Sequence, residues 1–355
     1  MTDSNSPNPV DQSMIAEMNK LVAHVGGNPD SIQGKSVREI MHTGLKLITD
    51  EANLGEVKLI SRALKELRYA LKVFRPYDDH PKISVFGSAR TPEDHPDYQA
   101  AVRFSRTMAE SGWMVITGAG DGIMRAGHAG SGRESAFGVA IRLPFETNAN
   151  DVIVGDPKLV TFRYFFTRKL MFMWMSHAVA LFPGGFGTQD EGFEALTLIQ
   201  TGKAPLVPIV MIDAPGTHAA GTGYWMHWDN YVTKSLLENG WISPEDKNLY
   251  FVTDDPAAAA RHVSGFYRNY HSQRFVRDDL VLRIRRPLTE KQLDQLSDEY
   301  ASLIVEGKIN QGGPLESERD HLQLPRLWFH HTKHGYGKLR AMIDQINKFD
   351  IENAG

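Results

Sequence analysis

The sequence predicts an α/β protein with a Rossmann-like, doubly wound parallel sheet, an N-terminal helical arm and a small C-terminal α+β extension. Two observations lead to this fold class. From Lys82 onward, short apolar segments alternate with amphipathic segments, the order typical of βαβ units with helices on both faces of a sheet. Two apolar segments run directly into glycine-rich turns, at 118–122 and 183–187. Such turns lie at the carboxyl ends of parallel strands, where open sheets bind their ligands.

The N-terminal part of the chain predicts an arm that lies outside the sheet. Residues 1–12 are rich in Ser, Asn and Pro and are expected to be disordered. Residues 13–75 form the helical segment, with apolar side chains at helical spacing that predict helices over 36–42 and 45–73. A stripe of this kind is typical of a packing arm or an oligomer contact. Pro76 and Pro81 then mark a linker.

The sheet domain is predicted over 82–270 and the extension over 273–355. The predicted strands are 83–86, 113–117, 137–143, 159–162, 178–182, 206–212 and 249–252, with 280–285 and 324–331 in the extension. The predicted helices are 98–110, one opening after 122, 163–176, 188–202, 225–239 and 256–267, with 337–349 and one capped by Thr289 and reaching 305 in the extension. Four glycines and a proline make 213–224 a loop insertion.

Composition narrows the class of protein. Hydrophobic residues make up 41% of the 355 residues and charged residues 23%, as in ordinary globular domains. A net charge of −4 gives no basic surface for nucleic acid, and no apolar run reaches membrane-spanning length. Cysteine is absent, which excludes a disulfide framework and a thiolate nucleophile. The polar start lacks the pattern of a signal peptide, so we expect a cytoplasmic protein.

The turn after strand 178–182 reads Pro-Gly-Gly-Phe-Gly-Thr-Gln-Asp-Glu over residues 183–191. Its glycines allow the backbone to approach a ligand closely, and the following helix presents free N–H groups to the turn. Phosphate is the anion that such a turn suits. A purely structural alternative is that Thr188 and Glu191 only form a Thr-x-x-Glu capping box for the helix.

The turn at 118–122 departs from the dinucleotide fingerprint. The third glycine of that fingerprint would stand where the chain has Ile123, and strand 137–143 ends in Arg142-Leu143 instead of an acidic residue. Both departures disfavour a nicotinamide cofactor, although an NAD(P)-dependent oxidoreductase stays a rival hypothesis. Binding of a mononucleotide is favoured instead.

These motifs resemble those of the LOG ("Lonely guy") family of nucleoside 5′-monophosphate phosphoribohydrolases, over roughly residues 82–267. The family signature Pro-Gly-Gly-x-Gly-Thr-x-x-Glu is present at 183–191, and Arg168-Lys169 matches its Arg-Lys pair. The name "lysine decarboxylase" is often given to the same family, but no lysine here stands in a recognisable pyridoxal-phosphate context. The resemblance implies hydrolysis of a purine nucleoside 5′-monophosphate, of AMP or cytokinin riboside monophosphate type, to free base and ribose 5-phosphate. It also implies a homodimer or a higher homo-oligomer.

The resemblance assigns roles to individual residues. Arg168 and Glu191 are the implied catalytic pair. The implied substrate-binding residues are Ser88, Gly118, Gly120, Gly122, Lys169, Gly184, Gly185, Phe186, Gly187, Thr188 and Thr197. A substrate-contacting Glu of some family members falls on Asn150 here, with Glu146 nearby, so either could replace it.

The chemistry of the reaction fits the two catalytic candidates. Loss of the base leaves an oxocarbenium-like ribosyl centre, which a carboxylate at Glu191 would stabilise while it orients or deprotonates water. Arg168 cannot serve as a proton donor because guanidinium stays charged, so it would stabilise charge. A nucleotide-binding sensor or carrier without chemistry is the alternative. No cofactor is expected, and His330, His331 and His334 lack the spacing of a metal site.

Overall fold

The computed structural model describes residues 9–142, 149–316 and 318–349. The helices within them are α1 Pro9–His24, α2 Ile32–Thr49, α3 Leu54–Phe74, α4 Pro96–Glu110, α5 Ile123–Ser131, α6 Phe165–Met175, α7 Phe186–Gln200, α8 Thr217–Ala220, α9 Tyr224–Tyr231, α10 Pro256–Phe266, α11 Glu290–Glu299 and α12 Tyr336–Lys348. The strands are β1 Lys82–Phe86, β2 Met114–Thr117, β3 Ala136–Ile141, β4 Leu159–Phe162, β5 Ala178–Leu181, β6 Ile209–Ile212, β7 Tyr250–Thr253, β8 Tyr270–Val276, β9 Asp279–Ile284, β10 Asn310–Gly312 and β11 Arg326–His330.

Strands β1 to β7 form one parallel sheet in the order β4-β3-β2-β1-β5-β6-β7. The chain builds outward from β1 to β4 on one side and from β5 to β7 on the other. The direction of winding therefore reverses between β1 and β5, which makes this the topological switch point of a doubly wound sheet. The predicted Rossmann-like α/β fold is confirmed.

Burial on both faces explains why these segments form parallel strands. Every residue of β1 is buried, and so is every residue of β2, β5 and β6. In β1, Ile83 and Val85 belong to the apolar core on one face, whereas Phe86 belongs to the core on the other. Apolar runs without polar alternation are what a sheet covered on both faces requires.

The N-terminal helices differ from the prediction. The chain divides into a compact unit up to Glu66 and a second unit from Leu67, and the described part of the first begins with α1. Residues 9–12, expected to be disordered, form the first turn of α1, and residues 1–8 lie outside the described residues. Within this unit Arg38 donates a hydrogen bond to Asn19 at 2.7 Å and joins α2 to α1.

The gap at residues 43–44 between the two predicted segments is not a helix boundary, because α2 runs through Gly44 to Thr49. The break lies at 50–53 instead. Asn53 accepts hydrogen bonds from the N–H groups of Gly55 and Glu56, while the Glu56 carboxylate accepts from the Asn53 N–H. This reciprocal cap starts α3 at a position that apolar periodicity alone does not reveal. Among the described helices, none combines the length and apolar character needed to cross a bilayer.

The C-terminal segment forms a second, antiparallel sheet in the order β10-β11-β9-β8. The first of these strands, β8, is absent from the prediction because its sequence is polar and half-buried. The Thr289–Gln292 capping box is present and starts α11, although the helix ends at Glu299 instead of 305. Leu282, Phe329 and Ile343 belong to the same continuous apolar core as one face of the parallel sheet.

Inside this sheet a buried carboxylate holds two arginines together. Glu318 Oε1 accepts from Arg283 Nη2 at 2.8 Å, and its Oε2 accepts from Arg326 Nε at 3.0 Å. The side chain of Glu318 is fully buried, and those of the two arginines are at most 7% exposed. Although burial alone would raise the pKa of Glu318, the hydrogen bonds from Arg326 and Arg283 bring it below its usual value. The carboxylate is therefore ionised in the folded protein.

Replacing Glu318 with alanine is expected to destabilise the protein by about 3–5 kcal/mol, because two guanidinium groups lose their partner inside the core. Chemical denaturation of Glu318→Ala beside Glu316→Ala would measure the effect, since Glu316 is an exposed glutamate two residues away. Equal stability of the two variants would show that the buried carboxylate does not hold this sheet together.

Candidate functional site

Three turns meet at the switch point of the parallel sheet. The turn after β1 contains Ser88, whose N–H donates to the Pro183 carbonyl in the turn after β5 at 3.0 Å. The Ser88 carbonyl accepts from the Ile123 N–H, at the start of α5, also at 3.0 Å. Gly122 is the N-cap of that helix. The backbone of Ser88 therefore joins the two glycine-rich turns that the sequence singles out.

The turn after β5 and the start of α7 present a row of backbone N–H groups. Helix α7 begins at Phe186 with Gly185 as its N-cap, and its first intrahelical bond runs from the Gln189 N–H to the Gly185 carbonyl at 3.1 Å. The N–H groups of Phe186, Gly187 and Thr188 precede that bond and need an acceptor from outside the helix. We call this row, together with the Gly185 N–H, the amide nest. It is suited to an anion.

The capping-box alternative for Thr188 and Glu191 is wrong. With Gly185 as N-cap, Thr188 is already the third residue of α7 and Glu191 the sixth. The pair cannot then exchange the reciprocal bonds of a capping box. The Thr188 side chain is buried against Gly184, and Phe186 is exposed at the start of the helix. The carboxylate of Glu191 is left for another role.

Arg168 reaches from α6 to the carboxyl ends of β2 and β3. Its Nε donates to the Val139 carbonyl at 2.9 Å, and its guanidinium carbon lies 5.2 Å from the centre of the Phe172 ring. The guanidinium passes so close to Gly118 that a Cβ at that residue would lie 2.5 Å from Arg168 Nη2. Glycine at 118 therefore makes room for the arginine.

Lys169 points instead toward the acidic face of α7. Its ammonium lies 2.5 Å from a Glu194 oxygen, 2.9 Å from Asp190 and 3.5 Å from Glu191 Oε1. Burial by itself would lower the pKa of Lys169, but the hydrogen bonds from its ammonium to Glu194 and Asp190 raise it above the usual value. Lys169 is a fixed cation among three carboxylates.

Glu191 is the most buried of these three carboxylates, with its side chain 12% exposed against 29% for Glu194 and 63% for Asp190. Burial raises the pKa of Glu191 above the usual glutamate value, while the charges of Lys169 and Arg168 act in the opposite direction. A carboxylate with a raised pKa, beside one cation and influenced by a second, is typical of a group that handles protons or positive charge.

A cavity of about 670 Å³ opens beside Arg168, at the carboxyl ends of β2 and β3 and against β4. Its wall is mainly apolar, and two arginines contribute the charged groups. The residues that line it are Ala89, Gly118, Ala119, Gly120, Met124, Ala140, Ile141, Arg142, Ala149, Val154, Leu159, Thr161, Phe165 and Arg168. A flat apolar group would be buried well in such a space.

Asn150 stabilises the turn at 118–120 through two hydrogen bonds. Its N–H donates to the Ala119 carbonyl at 2.8 Å, and its side-chain amide donates to the Gly120 carbonyl at 3.0 Å. The same amide nitrogen lies 3.1 Å from His128 Nδ1, and His128 Nε2 lies 2.9 Å from the Phe137 carbonyl. Since a carbonyl only accepts, Nε2 carries the ring proton and Nδ1 accepts from Asn150. Burial lowers the pKa of His128, in keeping with a neutral ring.

Of the two remaining predicted residues, one lies apart from this cluster and the other is not among the described residues. Thr197 is exposed on α7, one turn after Glu194. Glu146 lies outside the described residues. His128 and Tyr224 belong to the site but have no sequence signal of their own. Tyr224 donates a hydrogen bond to the Gly184 carbonyl from the loop insertion, 40 residues further along the chain.

Two sequence comparisons match this part of the chain. Residues 119–263 match a family model described as "Possible lysine decarboxylase". A cytokinin riboside 5′-monophosphate phosphoribohydrolase from Mycobacterium tuberculosis is 27% identical over 172 residues, which cover 46% of this chain and 83% of that protein.

Solved structures with a similar arrangement include two molybdenum-cofactor proteins. The molybdenum cofactor carrier protein of Chlamydomonas reinhardtii has a TM-score of 0.36 and 18% identity, covering 52% of this chain and 96% of its own. The molybdenum cofactor binding protein of Rippkaea orientalis has a TM-score of 0.34 and 18% identity, covering 50% of this chain and 91% of its own.

Proposed function

We propose that the protein hydrolyses the N-glycosidic bond of a purine nucleoside 5′-monophosphate, releasing free base and ribose 5-phosphate. The match of residues 119–263 to the family model and the similarity to the phosphoribohydrolase support this proposal. The substrate would be AMP or a cytokinin riboside monophosphate. One observation carries the proposal: the partly buried carboxylate of Glu191 lies 3.5 Å from the Lys169 ammonium, within the electrostatic influence of Arg168, a single helical turn beyond the amide nest. Phosphate anchor, carboxylate and cation are the three groups that the reaction needs.

The 5′-phosphate would bind the amide nest of residues 185–188, at the N-terminal end of α7. The turns containing Ser88 and Gly118–Gly122 would border the sugar, and the apolar cavity beside Arg168 would hold the base. Binding energy from the phosphate, remote from the reacting carbon, can then orient the sugar for reaction.

In the chemical step the bond between C1′ and the base nitrogen breaks, and its electron pair leaves with the base. Glu191 stabilises the positive charge that develops on the ribosyl group and accepts one proton from the attacking water. The water oxygen bonds to C1′, giving ribose 5-phosphate, and the departing base takes up a proton from solvent. Arg168 stabilises the charge of the departing base, and Lys169 keeps the carboxylate ionised.

Incubation with AMP and other nucleoside monophosphates, followed by assay of free base and ribose 5-phosphate, tests this proposal directly. Equimolar release of the two products is expected. If AMP binds but no base appears, the protein is a nucleotide sensor or carrier instead of a hydrolase. Tight binding of NAD(P) in place of AMP would favour the oxidoreductase hypothesis.

The pH dependence of the reaction should report the environment of Glu191. Because burial raises its pKa, kcat/KM should fall with falling pH at values above those of an ordinary glutamate. Lys169→Met removes a cation that opposes this effect and leaves Asp190 and Glu194, whose charges raise the pKa further. The acid limb of the pH profile is therefore expected to move to higher pH in Lys169→Met.

The control is Lys203→Met, which removes an exposed lysine beyond the end of α7. Its acid limb should coincide with that of the unmodified protein. An acid limb that moves to lower pH in Lys169→Met, or moves equally in both variants, would contradict the assignment of the limb to Glu191.

The proposal includes a homodimer or a larger assembly. Helix α6 exposes four large apolar side chains, Phe165, Phe166, Leu170 and Trp174, each between 48% and 72% accessible. A contiguous apolar surface of this kind is characteristic of a protein–protein contact. Sedimentation equilibrium tests this part, and a monomer at working concentration would contradict it. A cytoplasmic location, which fits the lack of cysteine, is also part of the proposal.

A further inference from the structure

Tyr224 makes two hydrogen bonds at the edge of the amide nest. Its hydroxyl oxygen lies 2.5 Å from the Gly184 carbonyl and 2.6 Å from Gln189 Nε2. A carbonyl can only accept, so the tyrosine proton points to Gly184, and the Gln189 amide donates to the hydroxyl oxygen. The donors therefore run in one direction, from Gln189 through Tyr224 to the turn.

The bond to Gly184 completes a row of three fixed carbonyls. The Pro183 carbonyl accepts from the Ser88 N–H, the Gly184 carbonyl from Tyr224, and the Gly185 carbonyl from the Gln189 N–H. In a trans peptide the C=O and the N–H that follows it point in opposite directions. Holding a carbonyl on one side of the turn therefore directs the next N–H to the other side.

The Gly184–Gly185 peptide needs such an anchor more than its neighbours do. Glycine on both sides allows the peptide plane to rotate at little steric cost, which would exchange its N–H for its C=O on the side of the nest. The carbonyls of Pro183 and Gly185 are held by backbone N–H groups of the turn after β1 and of α7. The carbonyl of Gly184 is held by a side chain.

The structure fixes Tyr224 firmly enough for this task. Asp213 follows β6, and its buried carboxylate accepts from the N–H groups of Trp225 at 2.9 Å and Met226 at 3.2 Å. The same carboxylate accepts from His218 Nε2 at 2.9 Å. The Tyr224 ring also packs edge-on against Trp225, with 4.9 Å between ring centres. The first turn of α9 is thereby tied to the sheet.

We propose that Tyr224 is a positioning residue that orients the Gly184–Gly185 peptide, so that the Gly185 N–H is available to a phosphate group of the ligand. The inference rests on the proposed function only in taking a 5′-phosphate as the guest of the nest. It adds a residue from the loop insertion, outside the signature at 183–191, to the groups that determine selectivity for phosphorylated ligands.

The test compares Tyr224→Phe with Tyr231→Phe, which removes the hydroxyl of an exposed tyrosine on the same helix. Titration calorimetry with AMP and with adenosine separates the phosphate contribution from that of the nucleoside. In Tyr224→Phe we expect affinity for AMP to fall about tenfold, the size of effect typical of losing one such hydrogen bond, with adenosine affinity unchanged. In turnover the loss should appear in KM, with kcat close to that of the unmodified protein.

The outcomes separate this inference from the proposed function. AMP affinity equal to that of Tyr231→Phe, or a parallel loss of adenosine affinity, would overturn the role of Tyr224. If the unmodified protein binds AMP without hydrolysing it, the hydrolase proposal fails, while the AMP titration of Tyr224→Phe still decides the inference. If the unmodified protein binds no AMP, both are overturned. Thermal melting of both variants verifies that each is folded.

Discussion

Glu191→Gln is expected to lose base release from AMP by about a thousandfold in kcat, within the range that a positioned acid–base group contributes. Glutamine keeps the shape and hydrogen-bonding reach of the side chain but carries no charge. It can neither stabilise a ribosyl cation nor accept the proton of the attacking water. AMP binding should persist, because the amide nest is built from backbone N–H groups that the substitution leaves in place.

Asp190→Asn is the matched control for this variant. Asp190 precedes Glu191 on α7, and its carboxylate is 2.9 Å from the same lysine, but its side chain is 63% exposed. Both substitutions remove one negative charge beside Lys169. Equal losses of kcat in the two variants would mean that Glu191 serves to balance the charge of Lys169 and takes no part in the chemistry. Product release by Asp190→Asn at nearly the original rate is the expected result.

The parallel sheet could be predicted from the sequence because the burial of its strands is visible as runs of apolar residues. The residues of β1, β2, β5 and β6 are buried on both faces, so each strand lies in a short, largely apolar run bounded by glycine, proline or polar residues. The turns at their carboxyl ends need glycine for close backbone contact, and glycine is visible in a sequence. The fold class and the positions of the two glycine-rich turns follow from these two signals together.

The errors occur where a tertiary contact decides the local structure. β8 is polar over residues 271–274 and is a strand because it pairs with β9, which periodicity within the segment cannot show. The start of α3 depends on Asn53 and Glu56, whose reciprocal bonds interrupt an otherwise continuous apolar stripe. Gly44 looks like a helix breaker but costs only about 1 kcal/mol inside a helix, and α2 continues through it.

The site shows the same division between local and long-range signals. The amide nest lies in the signature at 183–191, and Arg168 lies in the Arg-Lys pair. Tyr224 contacts Gly184 from 40 residues further along the chain and belongs to no motif. Asn150 was predicted from a family spacing as a ligand contact, but its side chain donates to the Gly120 carbonyl and to His128. Because these partners come from α5 and from the turn after β2, spacing along the chain cannot identify them. For Asn150 the structure therefore supports a role in shaping the turn that borders the cavity.

The position of Arg168, as distinct from its charge, is tested by Gly118→Ala. A methyl group at 118 would lie 2.5 Å from Arg168 Nη2 and 2.6 Å from Met124 Sδ. Both are the ends of flexible side chains, so we expect the fold to accommodate the methyl group by moving the guanidinium. Displacing an electrostatic donor that acts on the transition state should lower kcat by about a hundredfold, near the lower end of such effects.

Two further variants decide what such a loss means. Gly265→Ala adds a methyl group to α10, where the space around it is open. It should leave kcat nearly unchanged and raise stability by up to about 1 kcal/mol, because alanine is the better helix former. Arg168→Lys keeps a positive charge but loses the planar fork that donates to the Val139 carbonyl, and should be impaired at least as strongly as Gly118→Ala. Gly118→Ala could retain full activity while Arg168→Lys loses it. In that case catalysis would depend on the charge distribution of the guanidinium and not on its close contact with residue 118. If both variants retained full activity, the reaction would not depend on a guanidinium in this position, and the contacts of Arg168 with Val139 and Phe172 would serve the structure alone.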